Sequence, residues 1–185
     1  MKIRLAAPLQ IDSVVDGAGI RTVLWTQGCS HACPGCHNPG THDFKGGYIE
    51  DTENIKKELD ALEGQDGITL SGGDPLMQID ACLDIVKHCV DIGLDVWCYT
   101  GFTFEELLVI SKNNPSLLEL LKNIDVLVDG RFKLEQRSLD ILFRGSTNQR
   151  VLDCKASIEE LKPIEIEEYK TGNVLNKPTQ SEIFI

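Results

Sequence analysis

The sequence predicts an α/β fold with a mostly parallel sheet, arranged as a partial, open (β/α) barrel. β-branched and aromatic runs alternate with helix-period segments, the pattern of right-handed β–α–β crossovers. Loops rich in glycine, cysteine and aspartate follow the C-terminal ends of four predicted strands, the edge at which parallel α/β architectures bind ligands. The 185 residues supply about five such strands, too few for a closed eight-stranded barrel, which takes roughly 250 residues.

The opening stretch MKIRLAAPLQIDSVVDG (1–17) reads as a strand and loop, its apolar run being too short for a secretory signal. IRTVLWTQG (20–28) is a buried strand running into cysteines. DTENIKKELDALEG (51–64) sets Ile55, Leu59 and Leu62 on one helical face, with Asp51 or Thr52 as N-cap and Gly64 near the end. GITLSGGDP (67–75) is a short strand and glycine turn. Residues 76–92 are helical in period, with Ile79, Leu83, Val86 and Val90 as the apolar stripe and Gly93 as the stop.

LDVWCYTG (94–101) is the next strand, and TFEELLVI then opens on a capping box of Thr103 and Glu106. Pro115 interrupts this helix before SLLELLKN resumes it. IDVLVDG (124–130) and QRVLD (149–153) are the fourth and fifth strands. The pattern breaks down from about Ser157, so a main domain over 1–156 is expected, followed by an acidic-leaning tail over 157–185 with a TGN turn, Pro163 and Pro178.

Apolar residues at 42% and charged residues at 25% describe an ordinary soluble chain. A net charge of −11 argues against a nucleic-acid partner, which needs a basic face. No apolar run reaches the roughly 20 residues that cross a bilayer, so no membrane partner and a cytoplasmic location are expected. The seven cysteines are odd in number and come with no export signal, which favours metal ligation over disulfides.

Cys29, Cys33 and Cys36 lie in GCSHACPGCHNPG (28–40) with spacing C-x3-C-x2-C, and Pro34 and Gly35 let the loop turn back so that the sulfurs converge. Structural zinc, with His31 or His37 as fourth ligand, is one reading, but closed zinc sites draw on two separated ligand pairs and no second pair follows. Cys82, Cys89 and Cys98 fall in a helix and a strand and read as small buried hydrophobes. What remains is a [4Fe-4S] cluster with three protein ligands and one open iron.

C-x3-C-x2-C after the first strand with GGDP after the second resembles the radical S-adenosylmethionine superfamily. Within it, DGAGIRTVLWTQGCSHACPGCHNPGTHDF, TLSGGDPL, VWCYTGF, IDVLVDGRF and FRGSTNQRVLD are similar to the activases of anaerobic ribonucleoside-triphosphate reductase, over residues 12–153. The resemblance implies a barrel of the radical S-adenosylmethionine type and one [4Fe-4S] cluster on Cys29, Cys33 and Cys36. S-Adenosylmethionine then chelates the open iron, and a flavodoxin- or ferredoxin-like donor supplies the electron that cleaves it to methionine and a 5′-deoxyadenosyl radical. The partner implied is the large reductase subunit, which gives up a glycine Cα hydrogen. Gly72, Gly73 and Asp74 are then expected to receive the cofactor's ammonium. Asp129 and Arg131 are candidates for its ribose or carboxylate, and Thr100 for a contact at the same edge. Many superfamily members carry an aromatic residue where this chain has Gly35, so His37 or the backbone of Gly35, Cys36 and His37 takes the place beside adenine. No catalytic acid–base set is needed, because hydrogen abstraction by a carbon radical requires none. Arg144, Asn148 and Arg150 match the family signature, with ligand contact and strand pairing both open as roles, and His42 and His88 read as surface or satisfied histidines. The alternative is a radical enzyme acting on a small molecule, of the 7-carboxy-7-deazaguanine synthase kind.

Overall fold

The computed structural model describes residues 1–170. The first strands are β1 (Lys2–Leu5), β2 (Gln10–Ser13), β3 (Arg21–Thr26) and β4 (Tyr48–Asp51), which leads into α1 (Thr52–Asp60). There follow β5 (Gly67–Gly72), a 3-10 turn over Pro75–Gln78, α2 (Ile79–Asp91) and β6 (Asp95–Tyr99). Helices α3 (Phe104–Ser111) and α4 (Pro115–Asn123) precede β7 (Val126–Asp129), β8 (Arg150–Asp153) and α5 (Cys154–Glu160).

These strands make one eight-stranded sheet in the order β4-β1-β3-β5-β6-β7-β8, with β2 also on β3. The centre, β3-β5-β6-β7, is parallel. Its flanks are not: β8 runs antiparallel to β7, and β1, β2 and β4 make antiparallel pairs at the other end. The fifth predicted strand is therefore antiparallel rather than parallel. A parallel return needs a helical crossover, and residues 130–149 hold only a 3-10 turn at Leu134–Gln136.

Alternation along the strands separates two packed faces. On one, Leu24, Ile68, Leu70, Val96, Cys98 and Leu127 meet the helices; on the other, Trp97, Val128 and Val151 pack with Phe143, Ile166 and Tyr169. Helix starts follow the capping chemistry: Asp51 accepts from Glu53 N–H, Thr103 and Glu106 close the capping box, and Asn114 caps the helix that begins at Pro115. In α2 the buried face is Ala81, Cys82, Ile85, Val86 and Cys89, whereas Val90 of the predicted stripe is 40% exposed. Val86 is buried and Ile79 and Leu83 pack half-buried at the margin of the same core, so the buried face is centred beside the expected stripe, with Cys82 and Cys89 on it. Cys82, Cys89, Cys98 and Cys154 are all buried, and burial pushes the Cys82 thiol up to about 12.

The expected boundary at 156/157 falls inside α5. Ser157 is buried, Ile166 N–H donates to Val151 O, and Tyr169 packs edge-on to Phe143 at 5.3 Å. Residues 157–160 thus complete α5 on the first face, where Ile158 packs, and Ile166 and Tyr169 cover the second. The TGN turn and Pro178 lie outside the described residues.

Candidate functional site

The cysteine loop is a closed structure fixed by its own backbone. Gly28, at φ +106°, turns the chain out of β3, and Gly28 and Cys29 N–H donate to Thr41 and His42 carbonyls at 2.8 and 3.1 Å. Cys33-Pro34-Gly35-Cys36 forms a turn with Pro at its second position, Gly35 at φ +72° and Cys36 N–H donating to Cys33 O at 3.1 Å. That is the type II arrangement, which favours glycine at the positive-φ position. Asn38 N–H donates to Cys36 Sγ at 3.4 Å. Burial raises the Cys29 and Cys33 thiols above their ordinary range, while the nearby Arg131 guanidinium partly offsets this at Cys33.

The Gly-Gly-Asp turn packs directly on this loop. Gly73 N–H donates to Thr26 O at 2.7 Å and Asp74 N–H to Gly28 O at 2.9 Å. A Cβ on Gly73 would overlap the Gly28 backbone, so the glycine is required by the approach of two chain segments. Asp74 is 1% exposed and all its bonding is internal. It accepts from Leu76 N–H at 2.9 Å, from the Thr100 hydroxyl at 3.0 Å, from Gly101 N–H at 3.0 Å and from His31 Nε2 at 2.7 Å. The charge complementarity expected of Asp74 toward a ligand is instead directed at three loops of the chain itself, and the Thr100 hydroxyl is likewise turned inward.

Asp129 does not reach the cavity. Its carboxylate, 1% exposed, takes a two-pronged bond from Arg150 (2.9 and 2.5 Å) and accepts from Phe104 N–H at 2.8 Å. Arg131 is exposed and lines a neighbouring hollow. The RGSTNQR segment is loop architecture. Gln149 Oε1 accepts from Gly145 and Ser146 N–H, its Nε2 donates to Gly130 O, and Asn148 Nδ2 donates to Arg131 O. Arg144 donates to the carbonyls of Gln149 and Tyr169, which ties this loop to the segment after α5.

Cys29, Cys33 and Cys36 share one cavity of about 440 Å³ with His37, Gly72, Gly73, Asp74, Thr100 and Gly101, within the usual size range of small-molecule sites. Gly35 adjoins it, backed by Leu134. His37 stacks at a tilt on Phe132, centroids 4.8 Å apart, and Gly145 leaves room for both rings. His37 and Phe132, the latter from the β7–β8 loop, thus form one aromatic surface on the cavity wall. His42 also lines the cavity, whereas His88 pairs with Asp60 at 2.8 Å. Among the described residues no three His, Cys, Asp or Glu side chains converge tightly enough for a single ion. Three half-exposed free thiols from one loop, lining one cavity with no fourth protein ligand beside them among the described residues, fit a multi-iron cluster with an open iron better than tetrahedral zinc. Phe132, Gly145 and the His31 imidazole gave no spacing signal that could have assigned them in advance.

Three cysteines in one loop at the C-terminal edge of a parallel sheet define an iron–sulfur protein, and residues 15–152 match a family described as a 4Fe-4S single cluster domain. Proteins named anaerobic ribonucleoside-triphosphate reductase-activating protein are similar over most of the chain. That of Haemophilus influenzae is 35% identical over 146 residues, 74% of this chain and 89% of its own. Those of Vibrio cholerae (38%, covering 74% and 89%) and Enterobacteria phage T4 (34%, covering 74% and 86%) are alike. The chain belongs to this family of activating proteins. A solved structure of QueE from Escherichia coli aligns at a TM-score of 0.47 and 13% identity over 56% of this chain and 54% of that one.

Proposed function

We propose that the chain is a radical S-adenosylmethionine activase that generates the glycyl radical on the large subunit of anaerobic ribonucleoside-triphosphate reductase. The carrying observation is that the cysteine loop and the Gly-Gly-Asp turn line one cavity at the C-terminal edge of the parallel strands. The names of the relatives supply the target. Cys29, Cys33 and Cys36 hold the [4Fe-4S] cluster. When bound, cluster and S-adenosylmethionine together supply the one-electron cleavage that yields a 5′-deoxyadenosyl radical.

The residues of the chain bind and orient. Gly72 and Gly73 let backbone approach the cofactor's ammonium, and Asp74 holds that turn and Thr100 in place. Gly35, Cys36 and His37, with Phe132, form the wall for adenine. Arg131 adds positive charge beside Cys33, and Asp129 shapes the edge through Arg150. We read the sheet as a partial, open barrel of the radical S-adenosylmethionine type, whose mouth admits a polypeptide segment of the reductase. A flavodoxin- or ferredoxin-like protein is the electron donor in this reading, and the location is cytoplasmic. The net charge of −11 supports the absence of a nucleic-acid partner. Among the described residues no helix is long and apolar enough to cross a membrane. The small-molecule alternative gains nothing from relatives named as activating proteins.

The test is to reconstitute the cluster anaerobically, reduce it, add S-adenosylmethionine and the reductase, and record electron paramagnetic resonance. A glycyl-radical doublet on the reductase is the expected result. Cofactor cleavage without that doublet would remove the assigned target.

A further inference from the structure

The β7–β8 loop runs against the charge of the chain. The whole sequence carries a net −11, yet residues 130–150 hold Arg131, Lys133, Arg137, Arg144 and Arg150 against only Glu135 and Asp140. Arg150 is engaged with Asp129 and Glu105, and Arg144 with backbone carbonyls. Arg131, Lys133 and Arg137 are exposed, and among the described residues no ion pair neutralises them. Arg131 and Lys133 line one hollow together.

The same loop lies against the cysteine turn. Leu134 packs on Gly35, where an added Cβ would come within 2.9 Å of it, and Gly35 immediately precedes Cys36. Leu134 is 51% exposed and Leu139 87%. Phe132 lines the cavity, whereas Arg131, Lys133, Leu134, Arg137 and Leu139 do not. An apolar centre flanked by free cations therefore sits outside the cavity, directly over the cysteine turn.

Electron transfer weakens steeply with distance, so a protein donor must dock close to the cysteines. In the proposed reading the cavity side is given to cofactor and reductase, which leaves the outer side. A chain this acidic repels an acidic protein over most of its surface, and a local cationic patch selects where such a partner can land. A basic partner would be drawn to the rest of the surface and repelled here. The exposed leucines between the cations suit the apolar edge of a flavin ringed by carboxylates.

We propose that the β7–β8 loop, through Arg131, Lys133, Leu134 and Arg137, is the docking surface for an acidic flavoprotein that delivers the electron to the cluster. The proposal rests on the cluster and donor assignments made above and locates the donor on the chain. One electron leaves the reduced flavin and enters the oxidised cluster, and no bond forms or breaks.

The probe is a flavodoxin of strongly negative net charge, used with the full, anaerobically reconstituted chain. Its hydroquinone is mixed with the oxidised chain, and flavin oxidation is followed by stopped-flow absorbance. Binding of oxidised, labelled flavodoxin is measured separately by fluorescence anisotropy. Lys133→Glu combined with Arg137→Glu should slow the second-order reduction about tenfold at low ionic strength and weaken binding in parallel. Added salt should slow the parent but not this variant. Lys133→Gln combined with Arg137→Gln should fall between the two. Lys112→Glu combined with Lys122→Glu makes the same charge change on exposed lysines at the C-terminal ends of α3 and α4, and should stay within about threefold of the parent. Dithionite, which needs no docking, should reduce every variant within about threefold of the parent rate, at unchanged iron content.

A flavodoxin rate for the Lys133→Glu, Arg137→Glu chain within about threefold of the parent would overturn the proposal. So would an equal effect of the α3 and α4 pair, or an equal loss with dithionite. A defect confined to glycyl-radical formation by the dithionite-reduced chain would give the surface to the reductase instead. A ferredoxin that shows the charge dependence while flavodoxin does not would remove the flavin. Either result overturns the assignment of this partner. A parent chain that binds no four-iron cluster overturns the functional reading and this proposal together, and does so before any flavodoxin is added.

Discussion

Arg150→Leu tests whether Asp129 belongs to the scaffold rather than to the ligand. In the parent, a carboxylate 1% exposed is held by a two-pronged guanidinium at 2.9 and 2.5 Å, with Phe104 N–H as its other partner. Removing the arginine leaves a buried negative charge with one hydrogen bond. Breaking such a pair costs about 3–5 kcal/mol. Arg150 is itself 25% exposed, so water can reach the gap and the lower end, about 3 kcal/mol, is the expected loss. For a chain of this size that corresponds to a fall in Tm of roughly 6–12 °C. Asp129→Asn on the Arg150→Leu background removes the stranded charge while keeping an acceptor for Phe104, and should recover about 2 kcal/mol. The assay is urea unfolding of the reduced, metal-free chain followed by circular dichroism. A loss below about 1 kcal/mol, or strict additivity of the two changes, would refute the reasoning and return Asp129 to the candidates for direct ligand contact.

The remaining predictions concern the cluster loop, its neighbouring turn and acid stability. Cys29→Ala, Cys33→Ala and Cys36→Ala should each abolish the reduced-cluster signal, whereas Cys82→Ala and Cys89→Ala should keep it at a packing cost on the order of 1 kcal/mol. Iron analysis and electron paramagnetic resonance check this. Gly73→Val drives a branched side chain into the Gly28 backbone, so it should lower iron content as well as S-adenosylmethionine binding. Full iron content with impaired binding alone would show that the Gly28 contact yields without moving the cysteines. Arg150 holds the Glu105 carboxyl at about 2 instead of 4.5. Its folded pKa is depressed, so the stabilisation is present above pH 4.5 and is lost as pH falls toward 2. With Glu105 56% exposed, the effect is about 1 kcal/mol or less. Unfolding free energy of the parent should decline relative to Glu105→Gln across that window.

Much of the site was legible because its chemistry is local. The cysteine spacing, the Pro34-Gly35 turn and the Gly-Gly-Asp turn are each written in consecutive residues. The central strands were legible too, since β3, β5, β6 and β7 are buried apolar runs bounded by glycine or aspartate. Two of the flanking strands, β2 and β4, were not. β2 and β4 are mostly exposed or half-exposed, so no alternation marks them, and only pairing with neighbours makes them strands. The same limit hid the bonding of Asp74 and Asp129. A buried aspartate at a strand end looks identical in sequence whether it faces a ligand or the chain, and its partners here, His31 and Arg150, lie 43 and 21 residues away. Residues 157–170 read as a tail because their contribution to packing, chiefly Ile166 and Tyr169, carries no periodicity.

The central claim is that this site moves one hydrogen atom from a glycine of the reductase to a carbon of the cofactor. The direct measurement is isotopic. Reductase deuterated at glycine Cα is mixed anaerobically with the reconstituted, reduced chain and unlabelled S-adenosylmethionine, and 5′-deoxyadenosine is analysed by mass spectrometry. One deuterium per 5′-deoxyadenosine formed, rising together with the glycyl-radical signal, is the predicted result. Formation of 5′-deoxyadenosine free of deuterium while that signal stays absent would contradict the account.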